Sequence, residues 1–260
     1  MSRMPASENP FSVTGRKVVV VGGTAGIGWA AAEYLSEAGA EVVVTGRRAS
    51  GLPSATGIGS LPMDISSQES VAEGFASLGK SLGSIDCLVL NAGIDIDTGT
   101  IDSLDLGAFE RLIDVNLVGL VRAMSAGVSL LGPGGSVVVT SSPAGSLAVP
   151  GMSAYASSKA ALDMLVKVWA VELGPRGIRV NALLPGIVVS EMDSESAPDT
   201  EVIRRMTANG VHREASELGP VFQFLAADAS QTLTGSMVGA HDGISVGLSV
   251  EMMERLSVGR

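Results

Sequence analysis

Four consecutive valines behind Lys17 (KVVVV, residues 17–21) run straight into a turn holding four glycines in seven positions, Gly22 to Gly28 (GGTAGIG). A valine run without alternation has no polar face, so as a strand it must be covered on both sides, which suits the interior of a parallel sheet. Glycines at its end let the backbone adopt conformations closed to other residues and approach its neighbours closely. Ile27 to Ala38 then reads as a helix stopped by Gly39. Strand, tight turn and helix in that order leave few folds open.

The same alternation continues. Strands are predicted at Glu41–Thr45, at a short segment closed by Leu61, and at Asp86–Leu90, Ser136–Thr140, Ile178–Leu184 and Ser236–Ala240. Helices are predicted at Ser67–Ser81, with Val71, Phe75 and Leu78 on one side, and at Leu106–Leu131, Ala154–Leu173 and Ser216–Ala227. This pattern predicts an α/β fold: a Rossmann-type, doubly wound parallel sheet of about seven strands with helices on both faces, in a single domain over residues 1–260. Two places depart from it. Arg48 to Ser60 is too rich in Gly, Pro and Ser for a full crossover helix. Glu191 to Glu201 carries five carboxylates and no base, so residues 191–210 are expected to form a mobile lid. Residues 1–15 are expected as a flexible N-terminus and 245–260 as a tail.

Composition excludes several classes of function. At 46% hydrophobic and 17% charged residues the chain can bury a large core, which excludes a disordered or fibrous protein. A net charge of −10 repels phosphates and anionic lipid headgroups, so neither nucleic acid nor membrane is an expected partner. Cys87 is the only cysteine, and His212 and His241, 29 positions apart, are the only histidines; no intrachain disulfide is possible and no metal site is expected. The uncharged stretch Ala123–Ser158 holds Pro133, Pro143, Pro150 and six glycines, so it reads as buried core rather than as a membrane span. The first residues lack the apolar centre of a signal peptide. A cytoplasmic location is expected.

A glycine turn between first strand and first helix suits a pyrophosphate, because the helix N-terminus offers free N–H groups and the positive end of its dipole. No GK[ST] follows, which argues against a nucleotide triphosphatase. The second strand ends in Thr45-Gly46-Arg47-Arg48, where a dinucleotide fold otherwise places an acid for the ribose 2′-hydroxyl. Two arginines favour a 2′-phosphate, hence NADP(H) over NAD(H), although a solvated surface pair would read the same. Tyr155 and Lys159 lie four positions apart, on one helix face. A neighbouring ammonium lowers a phenol's pKa from ~10 and makes it a candidate proton donor and acceptor; alone, such a pair is also compatible with a structural role.

Together these residues resemble the short-chain dehydrogenase/reductase family in its compact form, from Lys17 to about Gly243. Gly22, Gly26 and Gly28 match its glycine motif, with Thr24 and Ile27 inside the turn. Asp64 and Ile65 match the pair near the adenine, Asn91-Ala92-Gly93 the turn after the fourth strand, and Pro185-Gly186, Val188 and Ser190 the segment beside the nicotinamide. Asn116, Ser142 (13 positions before Tyr155), Tyr155 and Lys159 match the catalytic tetrad.

The resemblance implies hydride transfer between NADP(H) and a ketone or secondary alcohol. In that scheme Tyr155 is the general acid–base and Ser142 a hydrogen-bond donor to the same oxygen. Lys159 tunes the tyrosine and grips the ribose, and Asn116 holds a relay water. A substrate wall of Pro143, Ser146, Val149, Met152, Met192 and Met206 is expected by analogy, which suits a small, largely apolar carbonyl compound. A homo-oligomer, tetramer or dimer, is expected through the long helices, with Leu162, Leu165, Val166 and Trp169 as candidate contacts unless that face is simply buried. The tail, with Met252 and Met253, runs past the family's usual end.

Departures from the family pattern are Val21 for a Thr that ties down the glycine turn, Leu90 for an Asn, Ser190 for a Thr, and Ile244 where a second Gly is frequent. The rival enzymatic reading is a 3-oxoacyl-thioester reductase acting on an acidic carrier protein, with Arg122 and Arg176 as docking bases. A non-catalytic NADPH-binding regulator is the rival from another class.

Overall fold

The computed structural model describes residues 9–52, 57–189, 200–211, 213–247, 249 and 253. Ser190, Met192, His212, Met252, the first part of the expected lid and residues 1–8 of the expected N-terminus lie outside the described residues.

Seven parallel strands form one sheet in the order β3-β2-β1-β4-β5-β6-β9. They are β1 (Lys17–Val21), β2 (Glu41–Gly46), β3 (Gly59–Pro62), β4 (Ile85–Leu90), β5 (Leu131–Thr140), β6 (Arg179–Pro185) and β9 (Met237–Ala240). Chain order reverses between β1 and β4, and at the carboxyl ends of such strands an open α/β sheet forms its ligand crevice. Val21, the last residue of β1, pairs with Thr45 on one side and Leu90 on the other, so the glycine turn emerges between the ends of β2 and β4.

The valine run is buried on both faces. Val19 and Val21 pack with Leu88, Leu90, Val137 and Val139 in one core cluster, Val18 and Val20 with Val42, Val44, Val89 and Val138 in the other. The first layer is closed by α2 (Gln68–Leu82), α4 (Leu120–Gly127) and α5 (Ser153–Leu173), the second by α1 (Gly26–Glu37) and α7 (Gly219–Ala226). Ser67 caps α2 by accepting a bond from the Ser70 N–H, which satisfies one of the first-turn donors. At Gly39 φ is +93°, the left-handed conformation that ends α1 as expected. Residues 10–13 pack by α7 and the turn that follows it: the Ala229 N–H donates to the Pro10 carbonyl, Gln223 Nε2 to the Phe11 carbonyl, and Val13 is buried.

Several expected elements need correction. The expected single helix Leu106–Leu131 is α3 (Leu106–Ile113), a π-helical turn (Asp114–Gly119), α4, and a final 3-10 turn (Val128–Leu130). Over Leu106–Leu130 this helix is long and apolar enough to cross a membrane by length and composition, but Leu112, Leu120, Ala123 and Met124 are buried against the protein. Leu131 belongs to β5, which begins five residues before Ser136: Leu131 pairs with Ile85 and Ser136 with Cys87, and the stretch between them bulges, with φ +85° at Gly134. Ser216 lies in a 3-10 turn ahead of α7, whose first turn takes Pro220 without losing a needed N–H. Among the described residues of the crossover after β2 there is a 3-10 turn, Ala49–Gly51, and no α-helix. Unforeseen are a helix α6 (Thr200–Met206) within the expected lid and a two-stranded parallel sheet of β7 (Val188–Val189) with β8 (Arg213–Glu214).

Candidate active site

The glycine turn is held from both sides. The N–H groups of Gly22 and Gly23 donate to the Thr45 carbonyl at 2.9 and 3.1 Å, and Asn91 Nδ2 donates to the Gly22 carbonyl at 3.0 Å. These bonds supply the tether that Val21, lacking a hydroxyl, does not. Gly22 has φ +78°, and a Cβ there would lie 2.4 Å from the Ala92 Cα. At Gly28 a Cβ would come within 2.3 Å of the Gly22 carbonyl oxygen, so α1 seats directly on the turn. Ala25 caps α1 without a side-chain bond, which leaves the first N–H groups of the helix to the cleft.

A cavity of about 820 Å³ runs from this turn across the ends of β1, β4, β5 and β6. Of the expected dinucleotide contacts, Gly22, Thr24, Gly26, Ile27, Arg47, Arg48, Asp64, Ile65, Asn91, Ala92, Gly93, Pro185, Gly186 and Val188 line it, as do all four expected tetrad residues. Gly28 sits behind the lining. Arg47 and Arg48 are exposed at the end of β2. Asp64 Oδ1 accepts from the Ser66 hydroxyl at 2.7 Å and its N–H at 3.0 Å; these bonds, with the Arg47 charge adding less, hold its carboxyl below the usual range. The Gly186 N–H donates to the Ala240 carbonyl, and a Cβ at Gly186 would come within 2.8 Å of the His241 Cα, which fixes the turn after β6 against the end of β9. These features fit an extended dinucleotide: a close-approach turn for its phosphates at one end and a second glycine turn at the other.

The four tetrad residues converge from three elements. Asn116 sits in the π-helical turn, where the widened ladder redirects the side chain inward, a frequent use of such bulges. It is fully buried, with Oδ1 accepting from the Ile94 N–H and Nδ2 donating to the Ile94 carbonyl, both at 2.7 Å. Ser142 lies two residues past the end of β5, its Oγ accepting from the Ala144 N–H at 3.2 Å. Tyr155 and Lys159 share one face of α5, with Lys159 Nζ 5.4 Å from the Tyr155 ring centroid. Lys159 is 5% exposed and donates to the Thr140 carbonyl at 3.0 Å. Burial brings its pKa down to about 8, while Asp163 and Asp95 act against that fall.

Of the expected substrate wall, Met192 lies outside the described residues and the other five are not among the residues lining this cavity. Pro143 is buried, Ser146 exposed, and Val149, Met152 and Met206 lie outside the lining. Residues not foreseen in the lining include Thr45, Ile94, Asp95, Arg111, Val115, Thr140 and Ser141. Most belong to the strand ends or to the π-helical turn, so only their neighbours' motifs marked them. Leu162 and Val166 are fully buried core residues, and Leu165 and Trp169 pack against that core; Met164, Val168 and Val171 are the exposed apolar residues of α5. The proposed docking bases are engaged within the fold: Arg122 with Asp114 and the Ile65 carbonyl, Arg176 with the Val128 and Leu131 carbonyls.

A doubly wound sheet with a glycine-turn crevice and a tyrosine–lysine pair at its far end defines a nicotinamide-dinucleotide oxidoreductase. A family model described as "Enoyl-(Acyl carrier protein) reductase" matches residues 21–245. Gluconate 5-dehydrogenase of Gluconobacter oxydans is 30% identical over 92% of this chain and 98% of its own. Human L-xylulose reductase is 32% identical over 89% of this chain and 97% of its own. The crystal structure of a short-chain type dehydrogenase/reductase from Mycobacterium marinum superposes with a TM-score of 0.84 at 30% identity, covering 92% of this chain and 98% of that one. The chain belongs to the short-chain dehydrogenase/reductase family, whose members bind NAD(P) and transfer hydride at alcohol and carbonyl groups.

Proposed function

We propose that this enzyme moves hydride between NADP(H) and the ketone or secondary alcohol of a small, largely apolar substrate, with Tyr155 as general acid–base. The observation that carries this reading is the buried Lys159 ammonium beside the Tyr155 ring at the end of the glycine-turn cleft. NADP(H), when bound, supplies the hydride chemistry. In the reductive direction the Tyr155 hydroxyl gives its proton to the oxygen of the carbonyl as its carbon gains hydride, and Ser142 donates a hydrogen bond to that same oxygen. Lys159 favours the phenolate that remains and reaches the ribose. Asn116 braces the Gly93–Ile94 segment against the π-helical turn and holds the water through which Lys159 is reprotonated. Gly22, Thr24, Gly26, Ile27 and Gly28 form the phosphate cradle. Asp64 and Ile65 flank the adenine, Asn91, Ala92 and Gly93 the ribose side, and Pro185, Gly186, Val188 and Ser190 the nicotinamide.

Arg47 and Arg48 select the 2′-phosphate. Replacing Arg47 with alanine is expected to raise the NADPH dissociation constant about tenfold or more, the loss of one charge-assisted bidentate contact, and to leave that of NADH within about twofold. Calorimetric titration of both cofactors measures this. Equal losses would remove the preference for NADP(H).

Ile94 and Val188 line the cleft toward the reacting end and support an apolar ketone. The relatives gluconate 5-dehydrogenase and L-xylulose reductase make a hydroxylated ketone the natural comparison. We also propose that residues 191–210 close over the substrate, that residues 245–260 form a tail beside them, and that the enzyme is a cytoplasmic dimer or tetramer. Exposed Val118, Val121, Met164 and Val168 support association, and the acidic surface supports partners limited to small molecules and further copies of the chain.

A further inference from the structure

We propose that Asp163 is a positioning residue for the reaction, anchoring the Ser142 segment through Ser141 and keeping Lys159 charged. The inference rests on the proton-relay reading of Tyr155 and Lys159 given above. Residues 155, 159 and 163 recur every four positions along α5, so they stack on one helix face at about 6 Å per step. Two observations turn that stacking into a device.

The first is a tether. Ser141 Oγ donates to Asp163 Oδ1 at 2.6 Å and lies 3.5 Å from the Lys159 carbonyl. Ser141 is buried and immediately precedes Ser142, so this short charged bond fixes the end of β5 to the helix carrying Tyr155 and Lys159. The following turn is seated on the same carboxylate: a Cβ at Gly145 would meet Asp163 Oδ2 at 2.9 Å and the Ala160 N at 3.1 Å. Only a glycine lets that turn come down so far.

The second is charge. Lys159 Nζ has the Thr140 carbonyl as its hydrogen-bond acceptor, a neutral partner for a buried cation. The charged and titratable groups facing it are Asp163 and Tyr155 on its own helix and Asp95 from the segment after β4; Lys167 faces Asp163 from the next turn. Burial pushes the Asp163 carboxyl up, and the Ser141 hydroxyl, Lys159 and Lys167 pull it back. With a lysine already lowered to about 8, removing one of its two carboxylates lowers it further. The ammonium then gives way to neutral amine at a lower pH, and Tyr155 loses its cationic neighbour there.

The two roles separate by substitution. Asp163→Asn keeps the shape and an acceptor for Ser141 but removes the charge. Ser141→Ala removes the tether but keeps the charge. The chain has only four lysines, so the Lys159 Nζ signal can be followed by NMR in the ¹⁵N-lysine-labelled full chain without cofactor. Asp163→Asn is expected to move its titration midpoint down by about half a unit or more, and to move the alkaline limb of kcat/KM for ketone reduction the same way. Asp163→Ala must shift the midpoint in the same direction. Ser141→Ala is expected to leave the midpoint in place and lower kcat about tenfold through misplacement of Ser142. An unmoved Lys159 midpoint in folded Asp163→Asn or Asp163→Ala overturns the charge role, and unchanged kcat in Ser141→Ala overturns the tether. Tyr155→Phe run in parallel separates the two readings: near-normal turnover there defeats the relay itself, whereas failure confined to Asp163 and Ser141 defeats only this inference.

Discussion

Tyr155→Phe is expected to lose turnover by about 10²- to 10⁴-fold, the range a positioned general acid contributes, while its NADPH dissociation constant stays within about twofold of wild type. The substitution removes one oxygen and keeps the ring that lies 5.4 Å from Lys159 Nζ. Ala154, Ser158 and Leu162 bury the neighbouring turns of α5 without calling on the hydroxyl, so fold and cleft are expected to persist. Without the phenol the tetrad keeps only the Ser142 hydroxyl, intrinsically a far weaker acid, and the Lys159 ammonium, which is directed at the Thr140 carbonyl. Single-turnover oxidation of bound NADPH measures the chemical step apart from product release. A variant that transfers hydride at near wild-type rate would show that another group supplies the proton.

The second large effect is expected at the glycine turn. Gly22→Ala places a Cβ 2.4 Å from the Ala92 Cα and 2.5 Å from its N, both backbone atoms that cannot move aside, at a φ of +78°. The turn must shift off the ends of β2 and β4, taking with it the N–H groups offered to the phosphates. Dinucleotide affinity is expected to fall by about 100-fold or more, since a displaced turn forfeits several charge-assisted contacts at about 1.5–3 kcal/mol each. Gly15 supplies the control, because its φ is +73° and nothing lies within 4 Å of a Cβ there. Gly15→Ala isolates the conformational cost, on the order of 1 kcal/mol of stability, and is expected to leave dinucleotide affinity unchanged. Equal affinities in the two variants would mean that close approach at Gly22 does not shape the cleft.

The parts of the fold legible in the sequence were those written as local contrast. Val18–Val21 read as a buried strand, the spacing of Val71, Phe75 and Leu78 marked α2, and Gly39 marked the end of α1, where the chain takes a positive φ. The π-helical turn at Asp114–Gly119 was not legible: hydrophobic spacing changes by a fraction of a residue there, and the bonds Asn116 makes are tertiary, to the Ile94 backbone. The pairing of β7 with β8 was hidden for a similar reason, since two-residue strands carry no period. Among candidate site residues, those in motifs gathered in one cleft. The substrate wall inferred by analogy rests on no motif of its own, and Pro143, Ser146, Val149, Met152 and Met206 are not among the residues lining the cleft. Ser141 and Asp163 had no motif to announce them; only their 2.6 Å bond does.

Hydride transfer by the wild-type enzyme is read from NADPH and NADH oxidation over ring ketones, aryl ketones, hydroxylated ketones and 3-oxoacyl thioesters. A free ketone is expected to turn over with NADPH, markedly more slowly with NADH, and the thioesters little. Tight NADPH binding without oxidation of cofactor by any ketone, and without reduction of NADP⁺ by the corresponding alcohols, would contradict that expectation.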